Sequence, residues 1–345
     1  MELGIYTRYS ELGASSRLRC YRYADTLRGC GFDVRMHPLF GDDTLEALYA
    51  GRGRRCKMAR DLARRFFALP RAEKNLWIEY ELLPGISCGI EKRYLKNRRY
   101  VLSFDDAVYL NYRGKKHLDG KFERLAAGAA GVMAANDMLV EHFSRFNANT
   151  VKIPTAVDTD ALRPGDGKFP RFTVVWIGTP VTFAAHLAPF ADMLDALSGE
   201  LGFDLLLIGA PETAKKLLPG ARIAAWSETA ERTLLPKCHA GIMPLPPDDD
   251  FAAGKSAYKL LQYLAAGLPS VASPVGENRV VVRPGKTGFL AASPEEWREA
   301  FQALVTDEKR RADLAAASRL EAEKYSFRRY APVVAKFFEK SFSGA

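Results

Sequence analysis

The sequence predicts an α/β protein built as two doubly wound parallel-sheet domains facing one another across a cleft. Three observations carry this expectation. Apolar strand-like runs alternate with helical stretches along the whole chain, as they must when parallel sheets are covered on both faces. The alternation occurs twice, on either side of a stretch rich in Pro, Gly and Asp from Pro154 to Pro170 that reads as a linker. With 345 residues the chain is long enough for two domains, each with its own core. The expected boundaries are 1–158, 159–327 and a last helical segment, 328–345.

In the first series the strands are read at Leu3–Tyr6, Asp33–Met36, Leu76–Glu79, Tyr100–Phe104, Gly131–Ala134 and Thr150–Ile153. Each is a short, mostly apolar run rich in β-branched or aromatic residues. Helical periodicity places helices at Ser15–Arg28, Leu45–Phe67 and Asp137–Phe146. The second series gives strands at Thr173–Ile177, Asp204–Ile208, Arg222–Ala225, Ala240–Met243 and Ser270–Ala272. Its helices fall at Phe183–Leu197, Glu228–Leu235, Lys255–Ala266, Pro294–Val305 and Glu308–Lys324. A final helix over Arg328–Phe342 has no strand partner and is expected to pack across the linker, back toward the first domain. There is no internal repeat and no low-complexity tract.

No apolar run approaches the ~18 residues that cross a bilayer, and the first residues lack a signal-peptide pattern. Five cysteines (Cys20, Cys30, Cys56, Cys88, Cys238) are scattered without C-x-x-C spacing. Reduced thiols in a cytosol fit this better than disulfides or zinc. The net charge of +9 lies mostly in the first half, where residues 1–160 hold 27 Lys+Arg against 20 Asp+Glu. The excess is densest at Arg52, Arg54, Arg55, Lys57, Arg60, Arg64 and Arg65, followed by Phe66, Phe67 and Leu69. Such a helix can rest on an anionic membrane or grip a polyanion. The plainer reading is a solvated helix with Met58, Leu62 and Phe66 turned to the core.

Ligands of open parallel sheets bind beyond the carboxyl ends of the strands. That rule selects Gly13-Ala14-Ser15-Ser16-Arg17, Asp105-Asp106, Gly178-Thr179, Gly209 and the loop from Pro244 to Lys255. Two adjacent carboxylates ending a buried strand are costly unless used, which singles out Asp105 and Asp106. The segment from Gly254 to Pro269 reads as a helix that puts Lys255, Lys259 and Gln262 on one face. Two stacked lysines repel unless an anion lies between them, and a helix N-terminus suits a phosphate or diphosphate. A solvated lysine face is the bland alternative. Gly254-Lys255-Ser256 is not a P-loop, because Asp249 stands where the first glycine is needed. Gly13 to Arg17 is not G-x-G-x-x-G. Asp248-Asp249-Asp250 reads as an acidic loop in water rather than a magnesium site. His117 and His186 are isolated, and Cys238-His239 reads as structural on a strand.

Taken in order, these pieces resemble a known family. Gly254 through Gly276, followed by Gly285-Lys286-Thr287-Gly288-Phe289-Leu290, looks like the donor-site signature of the retaining glycosyltransferases of family 4 (glycosyl transferases group 1), which have the GT-B fold. The resemblance extends to Gly13-Ala14-Ser15-Ser16-Arg17, Phe104-Asp105-Asp106-Ala107, Asn136, Pro154-Thr155-Ala156-Val157-Asp158, Trp176-Ile177-Gly178-Thr179-Pro180 and Tyr325-Ser326. It implies two Rossmann-like domains and a nucleotide-sugar donor held mainly by the second. The base and ribose would lie near Gly178, Thr179, Gly209 and Trp226. The diphosphate would meet Gly254, Lys255, Ser256 and Lys259, whose charges would stabilise the leaving group. Gln262 would hydrogen-bond a sugar or ribose hydroxyl.

The resemblance has departures. The family's E-x7-E glutamates would fall at Gly254 and Gln262, and neither is Glu. No Arg or Lys follows Gly178, and Asp105 stands near a position that is often histidine. The function expected is transfer of a sugar, with retained anomeric configuration, from a UDP-, GDP- or other nucleotide sugar to a glycan, lipid-linked or other cell-envelope acceptor. Gly13, Ser15, Arg17 and Glu81 would be acceptor-side residues, with Asp105 or Asp106 orienting the acceptor hydroxyl or the donor sugar. No metal, no separate cofactor and no nucleic acid is expected. The expected place is the cytoplasm, with a peripheral contact on the inner face of the membrane. The rivals are a non-catalytic polyanion-binding protein and, on the same fold, a nucleotide-sugar epimerase or a phosphorylase.

Overall fold

The computed structural model describes residues 1–50, 54–165 and 167–343, without the side chains of residues 49, 50 and 54. Arg52 of the basic run, Asp166 of the linker and the middle of the helix read over Leu45–Phe67 therefore lie outside the described residues.

The chain forms two compact units. The first comprises the chain up to Ala156, Gly254–Ser256 and the chain from Tyr330 on; the second comprises Val157–Ala253 and Ala257–Arg329. The first carries strands β1 (Glu2–Tyr9), β2 (Asp33–Phe40), β3 (Asn75–Glu79), β4 (Arg99–Phe104), β5 (Gly131–Ala134) and β6 (Thr150–Lys152). They make a six-stranded sheet in the order β2-β1-β3-β4-β5-β6. Every described ladder in it is parallel. Leu76, Trp77, Val101, Leu102 and Val132 are all 1 % exposed or less, as strands covered on both faces require.

Helices α1 (Ala14–Arg19), α2 (Ala24–Gly29), α3 (Asp42–Ala50), α4 (Arg54–Ala68), α5 (Cys88–Leu95), α6 (Lys121–Ala126) and α7 (Asp137–Ser144) accompany this sheet. The helix expected over Ser15–Arg28 is broken by a short 3-10 turn at Tyr21–Tyr23. The basic helix also departs from its plainer reading. Its inward face carries Asp61 and Arg65, 0 % and 5 % exposed, while Phe66 is 37 % and Phe67 73 % exposed. The Arg65 guanidinium donates to the carbonyls of Thr7, His37 and Leu82 and lies 5.0 Å over the Tyr6 ring. Arg60 pairs with Asp43 and Asp61, and Lys57 donates to the Asp43 carbonyl. Much of the basic excess thus serves packing.

The second unit carries β7 (Thr173–Ile177), β8 (Asp204–Ile208), β9 (Arg222–Ala224), β10 (Ala240–Met243), β11 (Ser270–Ala272) and β12 (Gly288–Leu290). Their order is β12-β11-β10-β7-β8-β9, again parallel. The strand β12 was hidden in sequence by its glycine-bounded turn. Its helices are α8 (Pro180–Thr182), α9 (Ala191–Leu201), α10 (Glu228–Leu234), α11 (Asp250–Ala253), α12 (Tyr258–Ala265), α13 (Asn278–Val281), α14 (Pro294–Thr306) and α15 (Glu308–Ala322). The helix expected over Phe183–Leu197 is split by a π turn and a 3-10 turn, and only from Ala191 does it run as α9. α14 begins with a reciprocal capping box between Ser293 and Glu296 and a proline in its first turn. The unit closes where it opens: Val157 accepts from Phe327 N and donates to the Tyr325 carbonyl. Cys238 and His239 precede β10 rather than lying on a strand.

The last helix, α16 (Phe327–Phe342), packs on the first unit from Tyr330 on. The Phe338 ring lies 4.8 Å from that of Trp77, and Arg99 donates to the Phe342 carbonyl. Among the described residues no helix is long and apolar enough to cross a membrane.

Candidate functional site

The carboxyl ends of four neighbouring strands, β1, β3, β4 and β5, gather polar side chains in the first unit. β3 ends at Glu79, which is 1 % exposed. Its Oε2 accepts from Arg8 N at 2.8 Å and from Ser16 Oγ at 2.5 Å. Ser16 Oγ in turn accepts from Tyr9 N at 3.0 Å. Glu79 therefore ties the start of α1 to the sheet, and burial raises its pKa. Within that first turn it is Ser16, not Ser15, that is fully buried. Gly13 is held tightly, since a Cβ there would overlap the Tyr9 side chain. Arg17 donates to the carbonyls of Glu11 and Leu12.

The chain turns sharply after β3. Tyr80 adopts φ 64°, a left-handed conformation uncommon for a residue with a side chain. The turn aims its hydroxyl at Asp105, to which it donates a hydrogen bond. Asp105 is 7 % exposed. Burial, then the adjacent Asp106 charge, lifts its carboxyl from the ordinary 3.8 to about 7. Burial and Asp105 raise Tyr80 as well.

Glu81, expected from sequence to contact the acceptor, is committed to partners within the protein. It is buried, and its oxygens accept from Lys121 Nζ at 2.6 Å, Arg8 Nη2 at 2.8 Å and Tyr112 OH. Lys121, fully buried, also meets Glu91 at 2.6 Å. Burying a lysine demands such pairing, so Glu81 and Glu91 are its counter-charges.

The segment Gly254-Lys255-Ser256 belongs to this unit. It does not open a helix, because α12 starts only at Tyr258, after Ala257 in a left-handed conformation with φ 52°. Lys255 and Lys259 therefore do not share a helical face, contrary to the expectation. Lys255 Nζ lies 3.3 Å from Asp106 Oδ2. Asn136 Nδ2 donates to the carbonyls of Gly254 at 2.8 Å and Lys255 at 3.2 Å. The Cα of Gly254 rests on Ala107 so closely that a Cβ would overlap the Ala107 side chain. A glutamate at this position would therefore not fit against Ala107 as the chain is packed.

In the second unit, Gly178 and Gly209 extend the strand ladder beyond β7 and β8: Gly178 N donates to Ile208 O, and Gly209 N to Ala224 O. Gly209 has φ 78°, and a Cβ on it would overlap the Gly178 carbonyl and lie 3.1 Å from Trp226 Cβ. A Cβ on Gly178 would overlap the Trp176 ring and come within 2.7 Å of Thr182 Oγ1. Only glycine fits either position. Thr179 caps α8 reciprocally with Thr182. From α12, the Lys259 ammonium reaches a point 5.7 Å from the Trp176 ring centroid. Gly178, Thr179, Gly209, Trp226 and Lys259 are thus assembled around the ends of β7, β8 and β9. Gln262, one turn further along α12, is 5 % exposed. The Trp226 indole donates to Glu231 at 3.4 Å.

Sequence reasoning missed Glu79, Tyr80 and Arg8. The Glu-Tyr-Glu run was visible, but which glutamate anchors a loop and which balances a buried lysine depends on neighbours remote in sequence. Asp249 begins a turn and accepts from Phe251 N, and Asp250 starts α11. Among the described residues no three His, Cys, Asp or Glu side chains gather as a metal ion would need. His117 is exposed and His186 buried.

Comparison with known proteins bears on this arrangement. Residues 171–307 match the family described as Glycosyl transferases group 1. The D-inositol 3-phosphate glycosyltransferase of Rhodococcus opacus (strain B4) is 28% identical over 249 residues, 62% of this chain and 52% of that protein. The same enzyme of Rhodococcus jostii (strain RHA1) is 27% identical over 245 residues, 62% of this chain and 52% of that protein. The chain therefore spans about half the length of the curated relatives it matches. Among solved structures, sucrose-phosphate synthase from Thermosynechococcus elongatus superposes with a TM-score of 0.72 at 12% identity, covering 100% of both chains. Anabaena HepE in complex with UDP superposes with a TM-score of 0.68 at 13% identity, covering 97% of this chain and 98% of that one. At such identity the likeness is one of fold: the two units are the Rossmann-like domains of the GT-B fold.

Proposed function

We propose that this protein is a glycosyltransferase that moves a sugar from a nucleotide-diphosphate sugar to an acceptor hydroxyl, a reading supported by the match of residues 171–307 to the family described as Glycosyl transferases group 1. The observation that carries the reading is the glycine-lined corner at the ends of β7, β8 and β9, with the Lys259 ammonium reaching into it. Open parallel sheets bind their ligands beyond these strand ends, and a cation there meets the phosphates of a nucleotide. In this reading Gly178, Thr179, Gly209 and Trp226 receive the nucleoside. Lys259, with Gly254, Lys255 and Ser256, receives the diphosphate, and buried Gln262 hydrogen-bonds a donor hydroxyl.

The reaction breaks the bond between the anomeric carbon and the diphosphate oxygen and forms one to the acceptor oxygen, whose proton leaves with the diphosphate. Charge grows on the leaving group, and preorganised lysines stabilise it without a metal ion. We assign the family 4 pattern of retained anomeric configuration, with Asp105 and Asp106 beside the acceptor hydroxyl. HepE, solved with UDP-glucose, has the same fold and supports a nucleotide-sugar donor. The proposed acceptor is a glycan, lipid-linked or other cell-envelope molecule. The proposed setting is the cytoplasmic face of an anionic membrane, approached through exposed Phe67 and neighbouring Arg64 on α4.

The test is calorimetric titration of UDP, GDP, ADP and dTDP into the wild type and Lys259→Ala. Micromolar binding of one nucleotide is expected, weakened in the variant by ~1.5–3 kcal/mol, the worth of a charge-assisted contact. Binding of none of the four would overturn the reading in favour of a non-catalytic protein.

A further inference from the structure

We propose that Asp106 is an internal counter-anion that occupies Lys255 while no donor is bound, and that Asn136 is the clamp that keeps Lys255 within its reach. The proposal rests on the donor reading above, in which Lys255 meets the diphosphate, and adds a residue that competes with that diphosphate.

Three contacts carry it. Asn136 is 1 % exposed and has both ends of its amide committed. Its Oδ1 accepts from Leu139 N at 2.9 Å and so caps α7. Its Nδ2 holds two successive carbonyls, those of Gly254 and Lys255. The amide therefore fixes the backbone of the segment to a helix start. The second contact is Gly254 on Ala107, which admits no side chain between them. Ala107 follows Asp106 directly, so the backbone that carries Lys255 is seated on the backbone that carries Asp106. The third is the ion pair itself, 3.3 Å long, with the lysine side chain 13% and the aspartate 27% exposed. Partial burial makes such a pair stronger than a fully solvated one, yet leaves the aspartate open to water when the lysine departs.

The consequence follows from electrostatics. A diphosphate that takes Lys255 must first displace Asp106, and it then lies close to a carboxylate that has lost its partner. Both effects weaken donor binding, and both ease release of the spent nucleoside diphosphate. Asp106 is here a positioning residue for Lys255.

The experiment compares the wild type with Asp106→Asn and Asp106→Glu by calorimetric titration. The probes are the nucleoside diphosphate that the wild type binds and the matching free nucleoside. Asp106→Asn keeps the shape and removes the charge. The expected result is tighter binding of the diphosphate by about three- to tenfold, from the worth of a partly exposed ion pair. Nucleoside binding should be unchanged, and Asp106→Glu should be close to wild type. A general structural effect would alter nucleoside and diphosphate alike. If Asp106→Asn binds the diphosphate as the wild type does, or more weakly, the counter-anion role is overturned while the donor reading stands. If the wild type binds no nucleotide, both fall together.

Discussion

Replacing Asp105 by Asn should make the protein more stable at alkaline pH, by an amount that grows with pH. The carboxyl is buried, adjacent to Asp106, and lifted from 3.8 to about 7 in the folded state. The folded protein therefore holds a proton at this site that the unfolded chain releases between those two values. Stability falls with pH wherever the folded state binds more protons. Asp105 thus supports folding fully only below about pH 4, and that support is lost progressively up to about pH 7. Linkage makes this penalty larger at pH 8 than at pH 5, by at most roughly 3 kcal/mol. Relaxation of the buried site brings the observable increase to about 1–3 kcal/mol. Asparagine has the same shape, accepts the Tyr80 hydroxyl through its carbonyl oxygen, and does not titrate. The assay is urea unfolding of both proteins at pH 5 and pH 8. The stability of Asp105→Asn relative to wild type should increase by that amount between the two values. A difference that stays constant within about 0.5 kcal/mol, or shrinks, would show that Asp105 is ionised throughout and refute the argument.

Two further outcomes follow from packing and exposure. Gly254→Ala should destabilise the first unit by about 1–3 kcal/mol, because its Cβ would overlap that of Ala107. Ala107→Gly in the same chain should recover at least half of the loss, and a thermal-unfolding double-mutant cycle with no coupling would contradict the seating of this segment on Ala107. Phe67→Ser should reduce sedimentation with vesicles of anionic lipid while leaving nucleotide affinity unchanged, since Phe67 is 73% exposed. Equal sedimentation of variant and wild type would remove α4 from any membrane contact.

Much of the fold was legible because it depends on local patterns. Runs such as Thr173–Ile177 and Gly131–Ala134 are apolar throughout, so their assignment as buried parallel strands needs no knowledge of neighbours. Gly178 and Gly209 were legible as points of close backbone approach for a related reason, since each follows such a strand directly and a Cβ on either would overlap its neighbours. The start of α12 was not legible. Gly254 to Ala257 carries no helix-breaking residue other than glycine, yet the structure seats Gly254 on Ala107, has Asn136 donate to its carbonyl and turns Ala257 left-handed before α12 begins. For the same reason the two lysines could not be told apart. Lys259 sits on the helix beside Trp176, and Lys255 is held on Asp106. Nor could spacing say that Glu79 anchors a loop while Glu81 neutralises a buried lysine. Alternation and composition are properties of a segment, and the sequence by itself determined the two parallel sheets and the glycines at their ends. The partner of each buried charge is a property of elements brought together from far along the chain, and only the tertiary structure decided it.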